Sequence, residues 1–344
     1  MIRDRVAVTV NLLRLHTAGF EGFVFAAGPM LEGVPVPPAR LGTLWLLGAM
    51  INGYIFALND LVDLPQDRLN PAKARSPLVT GALSERVALL WSLCLPLAAL
   101  AIASLEDWSV GAQVSFTLLL VLGAAVNIYQ KATTHPLLMD VLFSVAMAAP
   151  PAITAFATAG TVGPVTWCAT ALLFLLSLQL NSVAGNLKDL GSDRRTGFRT
   201  VAIAMGADLA ADGTLVATPA YRRYCKALFV CVATVGAVTL WIATRGAPVE
   251  VLIFCAAAVV VSAVTGALSL DRLLAGKRKP SPRGRELYFA SGFLVLLVVI
   301  VVRAPWQVLV PALAALALWE VVFALYWAWY WRSSNRASVA ETVV

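Results

Sequence analysis

Three oxygen-bearing side chains recur every four residues in the stretch Asn59-Asp60-Leu61-Val62-Asp63-Leu64-Pro65-Gln66-Asp67: Asn59, Asp63 and Asp67. In a helix, four residues turn the chain by about 400° and advance it ~6 Å, so Asn59 and Asp63 stack on one face. The stretch closes an apolar run, Leu41 to Leu58, whose one strongly polar side chain is Asn52. Acids at the mouth of such a run are costly unless something positive binds them. An all-oxygen set suits a hard cation, and Mg²⁺ is the usual one where phosphates complete the shell. Asp60 is counted with the metal-ligand set. Pro65 predicts that the helix ends or bends just before it, which leaves Asp67 on the following loop.

A second stretch repeats the theme. Asn186-Leu187-Lys188-Asp189-Leu190-Gly191-Ser192-Asp193 again closes a long apolar run, with Asp189 and Asp193 four apart. One such motif is equally well a solvated helix end. Two copies at the same place after an apolar run, each beside basic residues, point to a shared metal–polyphosphate site. The cations are Arg68, Lys73 and Arg75 after the first stretch, Lys131 further on, and Lys188, Arg194, Arg195 and Arg199 around the second. Carboxylates holding Mg²⁺ amid Lys and Arg are what a diphosphate requires. The metal neutralises the ester oxygens, and the cations stabilise charge that builds on the leaving group. If the organic group is allylic, loss of diphosphate leaves a delocalised carbocation, and an apolar, water-poor cavity protects it from hydrolysis. Other chemistries lack their residues. The two histidines, His16 and His135, form no Ser/His/Asp set, and there is no Gly-rich phosphate loop.

The elements that carry these residues are membrane spans. Of 344 residues, 60% are hydrophobic and 13% charged, with a mean hydropathy of +0.80; soluble domains run near 25% charged. Apolar runs cover roughly 17–33, 41–62, 87–105, 109–130, 137–159, 164–187, 225–244, 249–271, 287–302 and 306–331, most of them close to the ~20 residues that cross the hydrocarbon core. Glu21 and Glu32 interrupt the first. With the N-terminus inside, all 26 Lys and Arg except Arg40, Arg245 and Arg303 fall on one side. That asymmetry places both acidic stretches on the cytoplasmic face of a multi-pass protein in the cell membrane. It also accounts for the net charge of +7 without nucleic acid as a partner. Five cysteines without regular spacing make neither a disulfide framework nor a zinc site. The N-terminus reads as retained, and Trp306, Trp319, Trp327, Trp329 and Trp331 cluster in the last span as interfacial anchors do. The fold class expected is therefore all-α: a polytopic membrane helix bundle of nine or ten transmembrane helices, one domain over 1–344, around a central cavity.

At this point the sequence resembles the UbiA superfamily of intramembrane prenyltransferases. The resemblance rests on Asn59-x-x-x-Asp63-x-x-x-Asp67 with the later Pro77-Leu78-Val79-Thr80-Gly81. It rests equally on Lys188-Asp189-x-x-x-Asp193-x-x-x-Gly197-x-x-Thr200 followed by Gly206, each set placed after the second and sixth spans. It implies an all-helical bundle and Mg²⁺-dependent transfer of a prenyl chain from a prenyl diphosphate donor to a hydrophobic acceptor, often an aromatic or quinone-precursor ring. Carried over by position, Asn59, Asp63, Asp67, Asp189 and Asp193 would hold Mg²⁺-diphosphate. Tyr129 and Lys131 match a Tyr and a basic residue at the end of the fourth span in relatives, and are counted with Asp63 and Asp189 as catalytic. Arg68, Lys73, Arg75, Lys188, Arg195 and Arg199 are counted as donor-binding. Relatives often carry Arg directly before the Pro of the first loop; here Ser76 stands there and Arg75 one residue earlier. Two other readings use the same residues. A terpene cyclase would ionise the donor and capture the cation with its own double bonds. An ion-coupled transporter would keep its acids near the bilayer midplane, whereas these close the spans.

Overall fold

The structure, a computed structural model, describes residues 2–70, 73, 74, 76–130, 133–275 and 282–341. It is a bundle of α1 (Ile2–Leu12), α2 (Leu15–Glu32), α3 (Pro38–Val62), α4 (Leu64–Asp67), α5 (Glu85–Leu105), α6 (Val110–Tyr129), α7 (Pro136–Ala148) and α8 (Pro150–Ala159). It continues through α9 (Pro164–Gln179), a π-helical stretch (Leu180–Gly185), α10 (Asn186–Thr196) and α11 (Val201–Ala204). A two-strand antiparallel hairpin, β1 (Asp208–Leu209) and β2 (Leu215–Val216), precedes α12 (Pro219–Ala243), α13 (Val249–Leu274), α14 (Pro282–Arg303) and α15 (Trp306–Glu341).

Local sequence sets these boundaries. Pro38, Pro136, Pro150, Pro164 and Pro219 occupy first-turn positions, where a missing N–H costs nothing. The hydroxyls of Ser84, Ser109 and Thr218 accept from the first-turn amides of Val87, Ala112 and Tyr221. Among the described residues, eight helical runs are long and apolar enough to cross a membrane: α3, α5, α6, α7 with α8, the continuous run Pro164–Thr196, α12, α13 and Trp306–Tyr326. The other two expected spans are present as α2, with its Glu21 and Glu32, and the shorter apolar segment Leu287–Arg303 of α14. Large apolar side chains such as Leu97, Leu118, Val121, Ile253 and Val260 face outward, as lipid rather than water requires. Of the expected interfacial tryptophans, Trp306 is exposed, while Trp319 donates its indole N–H to the Leu15 carbonyl at 2.8 Å and ties α15 to α2. The side chains of Trp327, Trp329 and Trp331 lie outside the described residues.

The core forms where α2 packs on α3 and α8, and α12 on α9. Phe23, Met30, Leu172, Leu176 and Val299 meet there fully buried. The α2–α3 contact is close because Gly48 has no side chain: a Cβ there would sit 2.5 Å from the Glu21 carbonyl oxygen. Backbone carbonyls cannot swing aside, so Gly48→Ala is expected to force the helices apart and cost about 1–3 kcal/mol. Thermal unfolding in detergent checks this, with Gly42→Ala as control, since nothing lies within 4 Å of a Cβ at Gly42. An unchanged melting temperature for Gly48→Ala would show that the helices are free to separate.

Candidate functional site

Both acidic stretches open onto one polar cavity of about 440 Å³. α3 supplies Asn59 and stops at Val62; Asp63 sits in the joint, its amide bonded to the Asn59 carbonyl at 2.9 Å. The helical path then resumes instead of becoming a loop. Pro65 lies in the first turn of α4, where its missing donor is harmless, and the Asp67 amide bonds the Asp63 carbonyl at 2.8 Å. Asp67 is thus on a helical turn and buried with Asp63, which corrects the expectation drawn from Pro65. The Asn59 amide nitrogen donates to Asp63 Oδ2 at 2.6 Å, and Lys73 Nζ lies 3.4 Å from Asp67 Oδ2.

The second wall comes from the run Pro164–Thr196. The π-helical stretch hands over to α10, which carries Lys188, Asp189 and Asp193 into the cavity wall and ends at Gly197 with φ 76°. Arg199 follows, and the Thr200 hydroxyl caps α11. The side chain of Asn70 donates to Ser192 Oγ at 3.3 Å, a bond between the two stretches across 122 positions of sequence.

The cavity brings together Asn59, Asp63, Asp67, Asp189, Asp193, Lys73, Lys188 and Arg199. Among the described residues, it leaves out four that were expected there: Asp60, Arg68, Arg195 and Tyr129. Asp60 accepts from Arg14 Nη2 at 2.8 Å, and it is Arg14 that lines the wall. Arg68 is exposed and pairs with Glu85 at 2.9 Å. Arg195 and Tyr129 are exposed and do not line the cavity. Arg75 and Lys131 lie outside the described residues.

The sequence passed over several lining residues. Arg14 is held left-handed (φ 44°) at the joint between α1 and α2, a conformation that costs a residue with a Cβ roughly 1–2 kcal/mol. Asn52 offsets that cost by donating to the carbonyls of Leu13 (2.9 Å) and Arg14 (3.3 Å), while Thr17 donates to its oxygen at 2.9 Å. The lone polar residue of that apolar run is therefore structural. Asp140, Asn181 and Asn186 also face the cavity; each is a polar residue inside an apolar span, which was a readable signal.

No three His, Cys, Asp or Glu side chains among the described residues form a closed metal shell. Two open groups of oxygen donors face one another instead. Mg²⁺ fits that arrangement, because it keeps waters and takes one or two carboxylates together with substrate phosphates. A second, apolar cavity of about 880 Å³ lies along α6, α7, α8 and α9 and shares no lining residue with the polar one.

A family model described as the UbiA prenyltransferase family matches residues 22–272. A search of curated protein sequences found no match. Among solved structures, the chain is similar to an apo UbiA homologue from Aeropyrum pernix K1, with 17% identity over 83% of this chain and 97% of that one, and a TM-score of 0.61. It is similar to a UbiA homologue from Archaeoglobus fulgidus bound to DMAPP and Mg²⁺, with 18% identity over 84% and 99% and a TM-score of 0.59. It is also similar to digeranylgeranylglyceryl phosphate synthase, with 14% identity over 86% and 97% and a TM-score of 0.57.

Proposed function

The chain belongs to the UbiA prenyltransferase family, and from that premise we propose that it transfers a prenyl group from a prenyl diphosphate, held with Mg²⁺ in the polar cavity, to a hydrophobic or aromatic acceptor at the membrane. The observation that carries this reading is the convergence of the two acidic stretches on one cavity, which is also lined by Arg14, Lys73, Lys188 and Arg199. The Archaeoglobus fulgidus homologue bound to DMAPP or GPP with Mg²⁺ supports the same class of ligand here.

Asn59, Asp63 and Asp67 on one wall and Asp189 and Asp193 on the other would hold the metal. Bound there, Mg²⁺ supplies charge neutralisation for the diphosphate oxygens. The chain's own residues do the rest. Lys73, Lys188 and Arg199 orient the diphosphate and stabilise the charge it gains as the C–O bond breaks. Asp60 anchors Arg14 at the wall, where its guanidinium also lies 4.2 Å from the Phe56 ring. The surrounding apolar helices exclude water from the allylic cation until the acceptor attacks it. Arg75, Lys131 and Tyr129 stay candidates on the strength of the family pattern.

The test is mass spectrometry of products from purified protein given Mg²⁺, geranyl, farnesyl and geranylgeranyl diphosphates, and a panel of aromatic acceptors. Acceptor-dependent prenyl adducts are expected. Hydrocarbon formed without acceptor would move the reading to cyclisation, and no Mg²⁺-dependent release of diphosphate would end it.

The proposed orientation puts the cavity on the cytoplasmic side, from the distribution of Lys and Arg. Cysteine-accessibility mapping should then reach positions 73, 195 and 279 from the cytoplasm, and 160 and 246 from the other side. Labelling of 73 and 195 on opposite faces would separate the two acidic stretches and contradict the shared cavity.

A further inference from the structure

Asp140 is the one acidic residue of the apolar run 137–159, and nothing in the donor site described above uses it. It sits on α7, is 4% exposed, and lines the polar cavity. Its Oδ1 accepts from Asn181 Nδ2 at 2.8 Å. Its Oδ2 is buried and has no hydrogen-bond partner among the described residues. A contact that only joined α7 to the next span would need one oxygen and would not strand the other, which is costly to bury unpaired.

The amide that orients this carboxyl group is itself held in place. Asn181 lies in the π-helical stretch Leu180–Gly185, a rare geometry that recurs at functional sites. The Asn181 backbone carbonyl accepts from Asn186 Nδ2 at 2.8 Å, and Asn186 Oδ1 accepts the Ala202 amide at 3.2 Å. The next residue, Ser182, is gripped from α12: its hydroxyl oxygen accepts from Tyr224 at 2.8 Å and its carbonyl from Tyr221 at 3.1 Å. Side chains from two directions thus fix the backbone at Asn181 and Ser182, and the Asn181 side-chain amide fixes one oxygen of Asp140 and leaves the other facing a demand for a proton or a donor.

We propose that Asp140 is the proton acceptor of the transfer, a role that rests on the prenyl-transfer reading. The donor's C1–O bond breaks with its electron pair going to the diphosphate. An electron pair of the acceptor forms the new bond to C1, and the proton the acceptor thereby loses passes to Asp140 Oδ2, which returns it to solvent through the polar cavity. The acceptor class this selects carries its exchangeable hydrogen at the nucleophilic atom, as a hydroxyl group or an activated aromatic ring does. Asn181 is a positioning residue: it holds Oδ1 and leaves Oδ2 without a partner among the described residues, to take the proton.

Asp140→Asn suits the test because the new side chain still offers Asn181 an oxygen while it replaces Oδ2 with an NH₂ group. Native membranes, which supply the acceptor, are prepared from strains whose only copy is wild type, Asp140→Asn or Asp140→Glu, and are given tritiated geranyl, farnesyl or geranylgeranyl diphosphate. Incorporation into extractable product is measured against donor concentration. For Asp140→Asn, Vmax per folded protein is expected to fall by ~10²- to 10⁴-fold with donor KM little changed. Asp140→Glu should recover at least about tenfold of that loss, because a carboxylate is restored. Purified Asp140→Asn should keep the wild-type thermal shift on adding geranylgeranyl diphosphate with Mg²⁺. A near-normal Vmax for Asp140→Asn overturns the proposal. So does joint loss of Vmax and of the Mg²⁺-dependent shift, which would make Asp140 a metal ligand or a structural residue. Wild-type membranes that incorporate none of the three donors overturn the prenyl-transfer reading and this proposal with it.

Discussion

Asp63→Asn and Asp189→Asn are each expected to lower turnover by ~10³-fold, as loss of a preorganised charge at the reacting phosphate does. The first substitution is nearly isosteric. Asp63 Oδ2 accepts from the Asn59 amide at 2.6 Å, and an asparagine oxygen can accept the same bond, so the joint between α3 and α4 keeps its geometry. The second position is exposed on α10, where loss of charge disturbs no packing. Both variants should therefore insert, purify and melt like wild type while turning over hardly at all. The two positions lie on different walls of one cavity, and a shared metal site makes their effects similar in size. Turnover measured at saturating Mg²⁺ and donor, per folded molecule, checks this. A wild-type rate in either variant would mean that its stretch is a solvated helix end.

The cations carry the second large effect. Lys188→Gln and Arg199→Gln are each expected to lower kcat by ~10²-fold, because these side chains stabilise charge that appears only as the C–O bond breaks. The competing account is that the basic residues record only which side of the membrane the loops occupy. The two accounts differ in what moves. A residue that only marks orientation, once neutralised, changes insertion or abundance and leaves the rate per folded molecule alone. Arg223→Gln serves as comparison, since Arg223 is exposed at the start of α12 and does not line the cavity. Near-normal kcat in both Lys188→Gln and Arg199→Gln would remove the clamp and leave the leaving group to the metal.

The features legible in the sequence were those that depend on periodicity and burial. Hydropathy located the spans, the distribution of Lys and Arg put both acidic stretches at one end of the bundle, and Asn59, Asp63, Asp67, Asp189 and Asp193, singled out by their spacing, line one cavity. What stayed hidden was set by tertiary partners. Arg68 looks like a donor ligand until Glu85, 17 residues on, takes its charge. Asp60 looks like a metal ligand until Arg14, 46 residues back, claims it. Asn52 is the one strongly polar side chain of its apolar run, and only the fold shows that its bonds go to the backbone at the α1–α2 joint. Pro65 does mark a break, since α3 ends at Val62, but the chain resumes at once as a helical turn with Pro65 at its start, where the missing donor is harmless, and that turn carries Asp67. Asp140 was readable as a lone acid in a span. Its meaning needed the π-helical turn that aims Asn181 at it, and no sequence pattern announces that turn.

The central claim is that the two stretches, with Asp63 and Asp189 lying 126 positions apart (189 − 63), form one Mg²⁺-dependent binding site for a prenyl diphosphate. The most direct measurement is calorimetric binding of geranylgeranyl diphosphate to purified wild type, Asp63→Asn, Asp189→Asn and the double variant, with Mg²⁺ and with chelator. A shared site predicts that wild-type binding requires Mg²⁺, that each single variant loses most of it, and that the double variant is scarcely worse than either single one, because groups that act as a unit are not additive. Mg²⁺-independent binding, or losses in the two single variants that simply add in the double, would contradict it.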